Sequence, residues 1–187
     1  MQKHAEKPPS KICSVSRALG IPVPEEYRMD IDSKLKLCYE LMFQVADTEQ
    51  FTARAVRGGY THWLGPEFSK EIREFTGLVS RSAIENGEER GLVLEHFLRI
   101  QTSLTKLIGK HMSEGENVSE FISEVKRLEK VHIVTKREND VLRKKVYSGD
   151  YEKAGIEMVA WENIPEHAKS FLRRKIRGKV ANADSFL

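Results

Sequence analysis

Apolar residues recur every three or four positions through much of residues 30–115, which is the spacing typical of amphipathic helices. The two clearest stripes are Leu37, Leu41 and Val45, and Phe68, Ile72, Phe75 and Val79. A further helix is predicted from about Glu88 to Met112, with acidic residues near its start and basic residues near its end. Residues 30–115 are therefore expected to form a helical bundle, and the chain as a whole to be all-α.

Residues 116–148 show a different pattern, in which candidate core positions repeat every seven residues, as in a long helix that packs on another helix. Asn117 and Glu120 match an approximate capping box at its start. The positions expected to mediate self-association, or binding of a helical partner, are Val118, Phe121, Val125, Leu128, Asn139, Leu142 and Val146. We therefore predict one long amphipathic helix, a coiled coil and a dimer or other homo-oligomer.

The middle of this repeat allows other interpretations. His132, Thr135 and Asn139 are three consecutive polar layers that would weaken a dimer seam, so the stripe can instead pack within its own chain. The β-branched run over residues 131–135 also suits a strand, but the helix-forming residues on both sides of it favour a helix.

Two segments flank these predicted helices. Residues 1–29 are mostly polar and include Pro8 and Pro9, so they are expected to form a flexible leader in which a short helix ending at Gly20 is one option. Residues 149–187 are expected to form a basic C-terminal element, with a short extended stretch followed by a last helix after Asn163.

Positive charge is concentrated toward the C-terminus, although the net charge of the whole chain is only +3. From Val118 onward there are 15 Lys and Arg residues against 11 Asp and Glu residues. On the last predicted helix the cations occupy one arc and apolar residues the other. The cations predicted to contact nucleic acid are Lys169, Arg173, Arg174, Lys175, Arg177 and Lys179. No aromatic or amide side chain shares their arc, so the contacts should be mainly to phosphate, with a solvated basic face as the alternative.

No sequence motif points to catalysis, a cofactor or a metal. There is no glycine-rich phosphate loop and no nucleophile elbow, and His96 and His111 are too far apart along one predicted helix to share a metal. Tyr60, His62 and Trp63 are the aromatic cluster best suited to line a cavity, although such a cluster more often fills a core. We therefore predict no catalytic residues, no metal site and no cofactor.

These patterns predict a non-enzymatic regulator or accessory protein that self-associates through helices and contacts nucleic acid, such as DNA, through its C-terminal basic helix. One alternative is an interaction scaffold without nucleic-acid binding. Another is an enzyme, which would need a polar concave cavity with at least two converging titratable groups. The sequence has neither an apolar run of about 18 residues nor a signal sequence, so we expect no membrane span and a cytoplasmic location, or a nuclear one in a eukaryote.

Overall fold

The computed structural model describes residues 29–46, 48 and 50–187, and within these ranges helices surround a four-stranded mixed β-sheet. The prediction of an all-α helical bundle is therefore wrong, and the fold combines helices with a sheet. The predicted leader over residues 1–29 lies outside the described residues apart from Met29.

The α-helices of the described ranges are, in chain order, α1 (Ile31–Ala46), α2 (Ala53–Gly58), α3 (Gly65–Ile72), α4 (Arg81–Glu85), α5 (Ile100–Glu114), α6 (Val118–Leu128), α7 (Lys136–Leu142) and α8 (Glu166–Ile176). A π-helix (Gly59–Leu64) joins α2 to α3, and single 3₁₀ turns cover Trp161–Asn163 and Ala183–Phe186. The strands are β1 (Glu74–Ser80), β2 (Leu92–His96), β3 (Lys130–Thr135) and β4 (Met158–Ala160). Among the residues described, no helix is long and apolar enough to cross a membrane.

The sheet has the strand order β2-β3-β1-β4. The two central strands, β1 and β3, run parallel, with Glu74 opposite Lys130, and each edge strand is antiparallel to its neighbour. The register of β1 against β3 shifts between Phe75 and Val79. Gly77 lies in this interval with a φ of 81°, a backbone conformation that glycine adopts more easily than other residues. This pairing places the starts of β1 and β3 side by side at one end of the sheet.

Strand β1 lies where the sequence predicted the end of a helix. Helix α3 ends at Ile72, and Arg73 is already extended. Phe75 and Val79 are four residues apart, which fits one face of a helix, but an even spacing also places two residues on one face of a strand. The helix predicted from about Glu88 to Met112 is also wrong in its first part, which contains β2. Only its second part is helical, as α5.

The long helix predicted over residues 116–148 is also wrong. The segment folds as α6, then β3, then α7, so it forms no continuous stripe for a coiled coil. The β-branched run over residues 131–135 becomes the strand that the neighbouring helix formers argued against. A new helix starts at Thr135, whose side chain accepts from the Glu138 amide while the Glu138 carboxylate accepts from the Thr135 amide.

The predicted oligomerisation residues do not share one exposed surface. Four of them, Phe121, Val125, Leu128 and Leu142, are at most 2% exposed inside the chain's own core. Val118 is half-buried against the same core and Asn139 is half-buried elsewhere, whereas Val146 is 60% exposed. The chain itself therefore covers most of the surface on which we based self-association.

The buried residues form two clusters. One joins α1, the π-helix, α3, α5 and α6 around Tyr39, Tyr60, Leu104 and Phe121. The other lies between the sheet and α8 and includes Phe75, Val131, Ile133, Phe171 and Leu172. In α1 the stripe of Leu37, Leu41 and Val45 is not the inner face, because all three are more than two-fifths exposed and the adjacent face is buried. The space between the helical layer and the sheet forms a cleft.

Candidate functional site

Three segments bring polar side chains together at the end of the sheet where β1 and β3 start. Arg73 directly precedes β1 and Glu129 directly precedes β3, so the parallel pairing of Glu74 with Lys130 makes them neighbours. His96 is the last residue of the antiparallel strand β2 and pairs with Val131. The sheet itself therefore assembles an Arg–Glu–His cluster from distant parts of the sequence.

The Glu129 carboxylate is the centre of this cluster and is only 6% exposed. Tyr60 of the π-helix donates its hydroxyl to Oε1 at 2.7 Å, and His96 Nε2 lies 3.0 Å from Oε2. Arg73 Nε lies 3.8 Å from the same Oε2 and makes no hydrogen bond within the described chain. Glu129 therefore ties the helical layer to the sheet while fixing His96 and Arg73 at one edge of the cleft.

Burial and hydrogen bonding act in opposite directions on this carboxylate. Burial disfavours the charged form, but the hydrogen bonds from His96 and Tyr60 and the nearby Arg73 outweigh it, so the pKa of Glu129 lies below its usual value. Burial, and then the neighbouring Glu129 charge, raise the pKa of the Tyr60 phenol, which keeps it protonated as a donor. The cluster thus holds a stable negative charge with a fixed set of donors.

Glu95, next to His96 on β2, also lines the cleft. Its environment is different from that of Glu129, because burial raises the pKa of Glu95 and His96, Arg143 and Arg99 only partly oppose this. The two carboxyl groups of one cleft therefore have pKa values displaced in opposite directions, an arrangement found in acid–base sites.

The other side of the cleft is rich in positive charge. Arg99 Nη2 donates to the carbonyl oxygens of Leu142 at 3.0 Å and Arg143 at 3.4 Å, which anchors the guanidinium at the C-terminal end of α7. The Arg143 side chain is exposed and makes no hydrogen bond or ion pair with other described residues. Two guanidinium groups therefore line the cleft: that of Arg99 is bonded to backbone oxygens, and that of Arg143 interacts only electrostatically, with Glu95.

Helix α5 adds to this positive potential. It begins directly after Arg99, and its first three residues, at positions 100–102, line the cleft. No side chain caps its first turn. The N-terminal end of a helix carries partial positive charge and unpaired N–H groups, so this end favours an anion.

The cleft has a volume of about 700 Å³, within the range of sites that bind small molecules or parts of polymers. Its charged and imidazole-bearing lining residues are His62, Arg73, Glu95, His96, Arg99, Glu129 and Arg143. Within the described ranges, no three His, Cys, Asp or Glu side chains are grouped so as to hold a metal ion. Arg73 is offset by Glu129, so Arg99, Arg143 and the uncapped helix end are the features of the cleft that favour an anionic ligand.

The basic residues predicted on the last helix are only partly available. Helix α8 does follow Pro165, but Lys169 and Arg173 both pair with Glu166, at 3.4 and 2.6 Å. Arg173 also donates to the backbone oxygen of Phe186 at 3.0 Å. These two cations are therefore partly neutralised within the helix.

Beyond them, Lys179 pairs with Glu89 at 3.1 Å, and Lys175 is half-buried. Burial, together with neighbouring Lys179, lowers the pKa of Lys175. Arg174 and Arg177 are exposed and form no ion pair in the part of the chain that the structure describes. Arg174 on α8 and Arg177 at its C-cap are therefore the two unpaired guanidinium groups, and there is no continuous cationic arc of six.

Sequence reasoning missed most of the cleft. The aromatic cluster was the sequence feature that pointed to the cleft, but its three members have different environments. Tyr60 is buried and bonded to Glu129, His62 lines the cleft and Trp63 is exposed. Glu129, Arg73 and Arg99 carry no local motif, and only the strand pairing explains their proximity. No protein-family model, curated protein or solved structure matches this chain.

Proposed function

We propose that this protein is a regulatory or accessory protein that binds nucleic acid through its phosphate backbone, and that the cleft is its main contact surface. The observation that carries this proposal is the exposed guanidinium of Arg143, which makes no hydrogen bond or ion pair with a described residue, beside Arg99 and the uncapped start of α5. Guanidinium groups and backbone N–H groups at helix ends are common phosphate ligands. Of the two cleft carboxylates, that of Glu129 is already engaged by Tyr60, His96 and Arg73.

The exposed part of α8 is a secondary contact in this proposal. Arg174 and Arg177 add positive charge that no neighbouring acidic residue among those described neutralises, which is what contacts to phosphate need. Backbone binding of this kind depends on the release of counterions, so it should weaken strongly as salt increases. A cytoplasmic location, or a nuclear one in a eukaryote, is part of the same proposal.

Binding of a fluorescent oligonucleotide at about 50 mM salt tests the cleft. Arg143→Glu should weaken binding by about tenfold and reduce the salt slope by about 0.7–0.9, because one phosphate contact is lost. Arg137→Glu is the matched control, since Arg137 is exposed on α7, does not line the cleft and gives the same change in net charge. Equal effects of the two variants, or no binding by the wild type, would show that the proposal is wrong.

Self-association remains a second part of the proposal, on a different surface. The exposed stripe of Leu37, Leu41 and Val45 on α1 is better suited to pack on a second copy than the mostly buried positions 118–146. Light scattering should give the mass of a dimer for the wild type and of a monomer for Leu41→Lys. A monomeric wild type at all concentrations removes this part without affecting the cleft.

An enzyme that cleaves a phosphoester is the second candidate function, and the pair of His96 and Glu129 favours it. A carboxylate bound to one imidazole nitrogen fixes the orientation of the ring and supports proton transfer at the other nitrogen. The cleft also satisfies the condition set by the sequence reasoning, a polar cavity with several converging titratable groups. End-labelled RNA and DNA should be cleaved by the wild type but not by His96→Asn; intact substrate with the wild type would rule out this candidate.

A further inference from the structure

Trp63 is the large hydrophobic side chain with the highest exposure among the described residues, at 79%. Trp161 shows the usual arrangement for comparison, because it packs edge-on against Phe75 and Phe186 with Lys169 over its ring. An indole offers a large apolar area, so leaving it in water forgoes substantial stabilisation. The exposure of Trp63 therefore calls for a role other than packing.

The position of Trp63 is fixed relative to the cleft. Thr61 and His62 just before it, and Gly65 and Pro66 just after it, line the cleft. They belong to or adjoin the π-helix, a rare element that is frequently found at functional sites. Trp63 thus lies on a segment that borders the cleft.

The backbone of this segment is held in place on its inner side. The Tyr60 hydroxyl is bonded to Glu129, and a Cβ atom at Gly65 would come within 2.8 Å of the Tyr60 backbone oxygen. A Cβ at Gly59 would come equally close to Met42. The π-helix therefore packs closely on α1 and is bonded to Glu129, while the indole of Trp63 stays exposed.

Resting on the proposed nucleic-acid function, we propose that Trp63 stacks on a base of a single-stranded nucleic acid whose phosphates lie in the cleft. Cationic grooves combined with exposed aromatic rings are the usual means of binding single strands, and stacking is tolerant of base identity. A duplex cannot use this contact, because its base faces are covered by the neighbouring base pairs. The side chain would therefore give a preference for single strands without a preference for sequence.

The test compares the affinities of one labelled oligonucleotide, single-stranded and as a duplex, for three variants of the full chain. Trp63→Ala should lower single-strand affinity by about tenfold and leave duplex affinity unchanged, whereas Trp63→Phe should retain most of the affinity because the ring is kept. Val146→Ala, at another exposed apolar residue, is the matched control and should change neither affinity. Oligonucleotide binding should also quench tryptophan fluorescence in the wild type, and much less in Trp63→Phe.

Two outcomes overturn this inference. One is unchanged single-strand affinity in Trp63→Ala, and the other is an equal loss for single strand and duplex. If Arg143→Glu still weakens binding in either case, the proposed function survives and only the stacking role fails. If the wild type binds neither form, both the proposed function and this inference fail.

Discussion

Glu129 and His132 show two ways in which a titratable side chain is accommodated below the surface. Glu129 keeps its charge because Tyr60, His96 and Arg73 surround the carboxylate. His132 is 7% exposed and has no hydrogen-bond partner for Nδ1 among the described residues, and its ring stacks on Phe97 with 5.2 Å between centroids. Burial lowers the pKa of His132 to about 4, so the ring stays neutral at ordinary pH.

The pH dependence of stability should reveal the buried His132. Between pH 6.5 and about 4 the unfolded chain protonates this imidazole but the folded protein does not, so the free energy of unfolding falls as the pH is lowered. Replacing the ring by His132→Phe removes this contribution. In urea denaturation, the variant should lose about 2 kcal/mol less stability between pH 7 and pH 5 than the wild type.

Val134→Ala, at another buried position of β3, is the control for this measurement, because it removes no titratable group and should leave the loss of stability between pH 7 and pH 5 unchanged. A His132→Phe variant that loses as much stability as the wild type would contradict the assignment of a buried neutral ring.

At the scale of single elements, the cap predicted at Asn117 is confirmed, although the long helix predicted to follow it is wrong. Asn117 caps α6 as predicted, with its side-chain oxygen accepting from the Glu120 amide at 3.0 Å. The second half of that capping box is wrong, because the Glu120 carboxylate bonds to Lys110 and His111 instead. The structure has a full box at Thr135 and Glu138, which the sequence analysis did not identify, and it marks the end of β3.

Strands β1 to β3 escaped prediction because apolar spacing of four residues fits both a helix and a strand, whereas β4 lies in the stretch that was predicted as extended. Phe75 and Val79 satisfy both patterns, and the good helix formers flanking residues 131–135 outweighed the β-branched residues themselves in the sequence-based assignment. Tertiary pairing decided between them, since β1 and β3 each form the centre of a sheet that no local window contains. Propensity is a weak signal where strand partners lie far apart in the sequence.

Charged substitutions in α6 test whether its apolar face belongs to the chain's own core. Leu128→Lys places an ammonium group at a position with 0% exposure, so it should unfold the protein or cost several kcal/mol. Val146→Lys adds the same charge at a 60% exposed position of the predicted stripe and should leave the fold intact. Circular dichroism during urea unfolding distinguishes the two. A Leu128→Lys variant that stays folded but associates less than the wild type would instead show that this face is an interface between copies of the chain.

At the scale of the whole molecule, the sheet is what builds the cleft. Tyr60, Arg73, His96 and Glu129 are spread over about 70 residues of sequence, and they meet only because α6 leads into β3 beside the start of β1 and the end of β2. Sequence reasoning found His62 and Trp63 as candidates because aromatic residues cluster locally. It could not find Glu129, whose partners all come from other elements.

The most direct test of the account maps a short oligonucleotide onto the ¹⁵N-labelled protein by amide chemical shifts. We predict that the largest shifts cluster around the cleft, at Arg73, His96, Arg143 and the first turn of α5 over residues 100–102, with smaller ones at Arg174 and Arg177. Adding salt should reverse them together. Shifts confined to α8, or absent from the cleft at saturation, would contradict the claim that the cleft binds the phosphate backbone.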